Sequence, residues 1–284
     1  MTPEYQIGAL WIGGELSYLE QLCLKSFVDA GQHVKLYTYD GVTNAPDGVE
    51  QCDANAVLPQ TGFLRHSRTG SPALHSDLFR YHMLAKVDRI IWADTDAYCV
   101  KPFTTHTGHF YAWESETGLN GGVLGLPQDS ATLAALLDFT ADEHAIPPWY
   151  GAKYACELTE KAAAGTPVTA GDMPWGVWGP HALTHFLKTT GEVRHALPRV
   201  ALYPFAYEDR RLMLRPGLDE TAYVTADTYS IHFYGRRMRS RILAKEENGV
   251  PKPRSLIGAL LRKHNIDPAA APLRGKPDPE DQDA

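Results

Sequence analysis

The sequence predicts an α/β fold, and three observations carry that expectation. Residues 6–39 read as strand, helix and strand; a later strand, Arg89 to Ala93, ends abruptly in Asp94-Thr95-Asp96; and 44% hydrophobic content over 284 residues is ordinary for a chain with a sizeable core. A strand, helix and strand of this length form a right-handed parallel βαβ unit, the usual start of a nucleotide-binding α/β protein. Open α/β sheets collect their ligands beyond the carboxyl ends of the strands, which is where Asp94 and Asp96 fall.

Gln6 to Ile12 is a β-compatible apolar run closed by Gly13-Gly14. Ser17, with Glu20 three residues on, spells a capping box, and Leu19, Leu22, Cys23, Phe27 and Ala30 supply a helical stripe that Gly31 closes. His33 to Tyr39 alternates Val34, Leu36 and Thr38 against Lys35, Tyr37 and Tyr39, a second strand. Residues 40–70 are rich in Gly, Pro, Asn and Asp and predict loops with one short element near Asp53 to Leu58. Ser71-Pro72 opens a helix with proline at its first position, and Leu74, Leu78, Tyr81, His82 and Ala85 form its buried stripe. Asp77 and Arg80, three apart, are neighbours beside that stripe.

After Pro102 the pattern predicts strands at His109 to Trp113 and Leu119 to Leu126. The second contains Asn120-Gly121-Gly122, paired glycines of the kind that let a backbone approach a ligand. Helices follow at Ser130 to Glu143 and Gly151 to Ala164. Gly171 to Pro180 is too rich in Gly, Pro and Trp to be regular, and His181 to Thr189 resumes as helix. Late strands are expected at Arg199 to Tyr203 and Tyr223 to Tyr234, the latter carrying His232. The domain expectation is one domain over 1–235, a basic helical extension over 236–271 that includes an amphipathic helix at Ser255 to His264, and a tail over 272–284 disordered by composition.

A net charge of -7 and a pI near 5.9 argue against general affinity for nucleic acid, which needs a basic face. Charge is unevenly placed: nine Lys or Arg between Arg236 and Lys263 stand against only Glu246 and Glu247, a pattern suited to an anionic membrane surface or to a solvated terminal helix. Cys23, Cys52, Cys99 and Cys156 have no metal-ligand spacing and read as reduced thiols. The first residues lack a basic region followed by an apolar core, and no apolar run reaches about 18 residues. The expected location is cytoplasmic, or peripheral at the inner face of the membrane.

The chemistry centres on the two aspartates. Paired carboxylates after a strand offer hard oxygen ligands to Mg2+ or Mn2+, and the cation can then neutralise a diphosphate. Nineteen aspartates make roughly one Asp-x-Asp expected by chance, and a second one, Asp281-Gln282-Asp283, stands in the polar tail with no strand before it. Context therefore decides between them.

That context resembles a known family. Trp11-Ile12-Gly13-Gly14, then Ser76-Asp77-Leu78-Phe79-Arg80-Tyr81, then Asp94-Thr95-Asp96 running through Tyr98-Cys99-Val100-Lys101-Pro102-Phe103 are similar to the DXD sugar transferases, and more narrowly to glycosyltransferase family 32 with its capsular-polysaccharide and α-galactosyltransferase-like relatives. Asn120-Gly121-Gly122, Trp178-Gly179-Pro180-His181-Ala182-Leu183-Thr184 and Ile231-His232 continue the match in order, so it spans about residues 6–235. One departure is Val87-Asp88-Arg89, where relatives usually carry Gly-Gly.

The resemblance implies a GT-A fold, Rossmann-like, with a mixed central sheet flanked by helices. It further implies a metal-dependent transfer of sugar, with retention, from a nucleotide donor that is typically UDP-linked to a glycan or lipid-linked acceptor. On this reading Asp96 holds Mn2+ or Mg2+, His232 is a further ligand to it, and Asp94 contacts the ribose or donor sugar and orients the metal. Trp11 lies against the base, while Asp77 and Arg80 grip hydroxyls of the donor. Gly121 and Gly122, with Asn120, bring backbone to the donor. The acceptor side is open among Glu114, Glu116, Asp172, Glu208 and Asp209; Asp172 is favoured because it precedes Trp178-Gly179-Pro180. Two other readings compete: a haloacid-dehalogenase-like phosphatase, which prefers Thr or Val where Tyr98 stands, and a noncatalytic nucleotide-sugar-binding protein.

Overall fold

The computed structural model describes residues 5–276 and 278. The chain is α/β, as its patterning predicts, and forms two compact units. The first takes the residues up to Cys52, Ala93–Thr104 and those from Pro198 onward; the second takes Asp53–Trp92 and Thr105–Leu197.

The expected opening is present as β1 (Gln6–Trp11), α1 (Tyr18–Asp29) and β2 (Val34–Thr38), with β1 and β2 parallel and Ile7 opposite Val34. The capping box forms as spelled: the Ser17 amide and hydroxyl donate to the Glu20 carboxylate at 2.8 and 2.6 Å. β3 (Val49–Asp53), β4 (Ile90–Ala93) and β6 (Val123–Leu124) complete a five-stranded sheet of order β3-β2-β1-β4-β6. β5 (Ala97–Cys99) and β7 (Ser230–His232) pair antiparallel as a separate ribbon. The helices are α2 (Ala73–Lys86), α3 (Ala131–Thr140), α4 (Gly151–Ala163), α5 (Ala182–Thr189), α6 (Gly235–Lys245) and α7 (Leu256–Lys263).

Several expected strands shrink, for local reasons. The pair at 109–113 and 119–126 reduces to isolated bridges, Phe110 with Gly125 and Trp113 with Leu119, beside the two-residue β6. A turn closed by the Glu114 amide on the Gly118 carbonyl separates the two segments, and the Asn120 side chain accepts from the Gly122 amide at 2.7 Å, diverting that backbone from a ladder. Arg199 to Tyr203 is no strand: a 3-10 turn covers Arg199–Ala201, and the Arg199 guanidinium donates to the carbonyls of Tyr203 and Pro204. Only Ser230–His232 of the last expected strand pairs, since Thr225 and Thr228 bond each other across a turn just before it. β3 is missed for the opposite reason: Val-Glu-Gln-Cys-Asp is a mostly exposed strand without apolar alternation.

The first unit's core gathers Tyr18, Leu19, Leu22 and Cys23 of α1 with Phe205, Met213, Ile231 and Phe233, and with Leu256, Ile257, Leu260 and Leu261 of α7. The basic segment is thus built into this core rather than appended to it. Several of its cations are paired, although most stay exposed: Arg239 pairs with the buried Glu20, Arg236 and Arg237 with Asp278, and Lys263 donates to the Tyr98 hydroxyl at 3.2 Å. Leu273 is buried and the Asp278 amide donates to Ser240 Oγ at 2.8 Å. Residue 277 and residues 279–284, including Asp281-Gln282-Asp283, lie outside the described residues. No helix among the described residues is long and apolar enough to cross a membrane.

In the second unit α2 is covered more widely than a single stripe. Contacts with α3 and with the turn at Val177–His181 bury Leu74, His75, Asp77, Phe79, Arg80, Tyr81, Met83 and Leu84, and leave Leu78, His82 and Ala85 half-buried. Leu74 joins Leu158, Ala170, Met173, Val177 and Trp178 in a core of its own. Asp77 and Arg80 therefore sit inside the packing and not on a solvated face, which removes the surface ion pair as an account of them.

Candidate active site

In the first unit the fold brings together Asp94, Asp96 and His232. β4 is buried at every position and ends at Ala93, so the chain leaves the sheet at Asp94 and starts the separate β5–β7 ribbon at Ala97, the turn closed by the Ala97 amide on the Asp94 carbonyl at 2.9 Å. β5 is fixed from behind. The Cys99 amide donates to Ser26 Oγ at 2.8 Å, and the Tyr98 hydroxyl meets His264 Nε2 at 2.9 Å, whose Nδ1 is 2.7 Å from Asp29. Register does the rest: β7 pairs with β5 so that His232 stands opposite Ala97, next to Asp96. A histidine 136 positions downstream of Asp96 in the chain is thereby made its neighbour.

His232 Nε2 lies 3.3 Å from Asp96 Oδ1 and 3.9 Å from Asp94 Oδ2. The three candidate ligand atoms, two carboxylate oxygens and one imidazole nitrogen, all lie within 4.8 Å of one another. Asp96 Oδ2 is held by the Gly235 amide at the start of α6, at 2.6 Å, and the imidazole by the Tyr234 amide, which donates to Nδ1 at 3.2 Å. With Nδ1 accepting, the ring proton sits on Nε2 and faces the carboxylates, the place a divalent cation would take in exchange for that proton. Two hard oxygens and a nitrogen suit Mn2+ well and Mg2+ through the oxygens. The side chains of Asp94 and Asp96 are partly exposed and His232 is buried, so the seat is open on the carboxylate side.

The sequence did not point to Gly235 or Tyr234. Tyr234 has φ 55 and ψ 53, a left-handed conformation rare outside glycine, and it delivers the next amide to Asp96. A Cβ on Gly235 would stand 2.9 Å from Asp96 Oδ2 and 3.0 Å from its Cβ. The available signal was His232 followed three residues later by glycine before a basic run.

Trp11 ends β1 in the same unit. It is half-exposed, not a core tryptophan, and its Nε1 donates to the Gly14 carbonyl at 2.7 Å, fixing the ring over the Gly13-Gly14 turn.

The second unit assembles Asp77, Arg80 and Gly121. Arg80 donates to the Gly121 carbonyl at 2.7 Å, pairs with Asp77 Oδ1 at 3.3 Å and lies over the Trp92 ring at 4.9 Å. Two glycines make room: a Cβ on Gly121 would meet Arg80 at 2.5 Å, and one on Gly179 would meet the Asp77 carboxylate at 2.9 Å. The Tyr81 hydroxyl donates to the Trp178 carbonyl at 2.6 Å, tying the Trp178-Gly179-Pro180 turn to α2. The motifs at 76–81, 120–122 and 178–180 are thus one packed cluster.

Losing one partner of a buried pair costs about 3–5 kcal/mol, because the other charge stays buried. Asp77→Ala is expected to lower the denaturant midpoint sharply, whereas Asp172→Ala, at an exposed position, is expected to stay within about 0.5 kcal/mol of wild type. Equilibrium urea unfolding of the two variants checks this.

Asp172 lies in a different depression of the second unit. Hydrogen bonds from Ser67 and then Thr169 hold its carboxyl below the ordinary carboxylate range, so it is ionised at neutral pH. Of the other carboxylates considered, Glu114 lines a further pocket together with Trp149 and His181, while Glu208 and Asp209 open a 3-10 turn in the first unit.

No protein-family model matches the chain, and no curated protein matches it. Among solved structures the chain is similar to one described as PaToxG glycosyltransferase, at 14% identity and a TM-score of 0.43, covering 67% of this chain and 71% of that one. It is also similar to mouse xyloside xylosyltransferase 1 in its apo form, at 13% identity and a TM-score of 0.39, covering 80% of this chain and 96% of that one.

Proposed function

We propose that this chain is a retaining, metal-dependent glycosyltransferase of GT-A type, moving a sugar from a UDP-linked donor to a glycan or glycolipid acceptor. The observation that carries the reading is the convergence of Asp94, Asp96 and His232 within 4.8 Å, from the end of β4 and from β7. That convergence separates the Asp-x-Asp at 94–96 from one that chance supplies, and its N/O donor set suits Mn2+ or Mg2+.

Each residue's part is the one the resemblance implies, and its chemistry is compatible with it. Asp96 and His232 hold the cation, and Asp94 orients it and meets the ribose or donor sugar. A bound cation supplies Lewis-acid stabilisation of the charge that builds on a departing diphosphate. Trp11 offers a ring face to the base. Asp77, a carboxylate, accepts from sugar hydroxyls, and Arg80 donates to oxygens of the donor. Asn120 and the two glycines after it bring backbone close enough to meet the donor, and Asp172 serves the acceptor side.

The test is release of UDP from a set of UDP-sugars, with Mn2+ and after chelation. Slow metal-dependent hydrolysis of at least one donor is expected. Hydrolysis of simple phosphate esters instead would favour a phosphatase, and metal-dependent UDP binding with no turnover of any donor would favour a binding module; either result sinks the transferase reading.

A further inference from the structure

Between residues 171 and 178 the packing buries every large apolar side chain but one. Met173, Val177 and Trp178 are buried, but Trp175 is 42% exposed. One exposed apolar residue is ordinary by itself; Trp175 is set apart because it lines a depression beside the oriented Asp172 carboxylate.

Trp175 lines a depression of about 480 Å³ together with Asp172, Arg68, Tyr154, Glu157 and Lys161, a volume within the range of small-molecule sites. Its floor is stitched together. The Ser67 amide donates to the Gly171 carbonyl at 2.9 Å, His66 Nε2 lies 3.2 Å from the Met173 carbonyl, and the His66 ring meets the Trp175 ring edge-on at 5.4 Å. The Asp172 carboxylate is oriented by Thr169 Oγ1 at 3.0 Å. Two loops, 66–70 and 171–175, thus present an aromatic face and an acceptor-only carboxylate in fixed relation. The walls bring both signs of charge, Arg68 and Lys161 against Glu157 and Asp172, so the site is not tuned to a polyanion. An aromatic face beside a carboxylate and long-chain donors suits a ring with apolar C–H groups on one face and hydroxyls at its edge.

We propose that this depression binds a saccharide, with one pyranose ring laid on Trp175 and its hydroxyls donating to Asp172. The saccharide's role as the acceptor rests on the transferase reading; its binding does not.

The experiment is saturation-transfer NMR titration, without donor or metal, of the methyl glycosides of glucose, galactose, mannose and N-acetylglucosamine and of lactose and cellobiose. At least one binds the wild type, and its affinity falls 10-fold or more in both Trp175→Ala and Asp172→Asn. Both positions are exposed, so the variants keep the wild-type unfolding transition. No binding of any of these saccharides, binding undiminished in either variant, or loss of UDP binding rather than saccharide binding in Trp175→Ala would overturn the assignment. UDP release by the wild type is scored separately. If it fails while saccharide binding behaves as stated, the transferase reading falls and the saccharide site stands.

Discussion

If the chain is the proposed metal-dependent transferase, Asp96→Asn is expected to lose metal-dependent release of UDP from a UDP-sugar by about 100- to 1,000-fold, the several kcal/mol a fixed Lewis acid supplies. Its unfolding transition stays close to that of the wild type. The reasoning is local. Asparagine has the shape of aspartate, so its amide oxygen still accepts from the Gly235 amide, which holds Asp96 Oδ2 at 2.6 Å. What disappears is the negative charge and one hard oxygen of a three-atom seat. Steady-state UDP release at saturating Mn2+ measures the effect, and wild-type rates in this variant would remove Asp96 from the metal site.

Gly235→Ala is the second large effect, and it reaches the same aspartate without changing a ligand. Its Cβ would stand 2.9 Å from Asp96 Oδ2 and 3.0 Å from Asp96 Cβ, so the carboxylate must move. Alanine is the better helix former, and α6 begins at this residue, so the helix itself is not weakened. Both stability and function are expected to fall: the unfolding free energy by about 1–3 kcal/mol through overpacking, and Mn2+ affinity by roughly 10- to 100-fold, the usual cost of disturbing a group that orients a ligand. Mn2+ titration followed by electron paramagnetic resonance reads this directly. Unaltered Mn2+ affinity would mean that the Gly235 amide does not position the ligand.

What the sequence made legible was what repeats along it or stands in a recognisable run. The βαβ opening, the capping box at Ser17 and Glu20, α2 and the buried β4 leading into Asp94 and Asp96 are all written in local periodicity. His232 was legible only through resemblance, because what places it is the antiparallel register of β5 and β7, which no local pattern encodes. Burial of Asp77 and Arg80 was hidden for a similar reason: two charged residues on a helix read as surface until α3 and the Val177–His181 turn are seen to cover them. β3 carries no alternation because it is mostly exposed. The exposure of Trp175 could not be read from a stretch whose other large apolar residues, Met173, Val177 and Trp178, turn inward.

Arg89 adopts a φ of 48 just ahead of β4, a left-handed conformation that glycine would reach without cost.

The most direct measurement is isothermal titration of the wild-type chain with UDP, with and without Mn2+. If Asp94, Asp96 and His232 seat a cation that receives the diphosphate, UDP binds with Mn2+ present and binding is lost when the metal is chelated. UDP binding of equal strength with and without Mn2+, or none in either case, would contradict it.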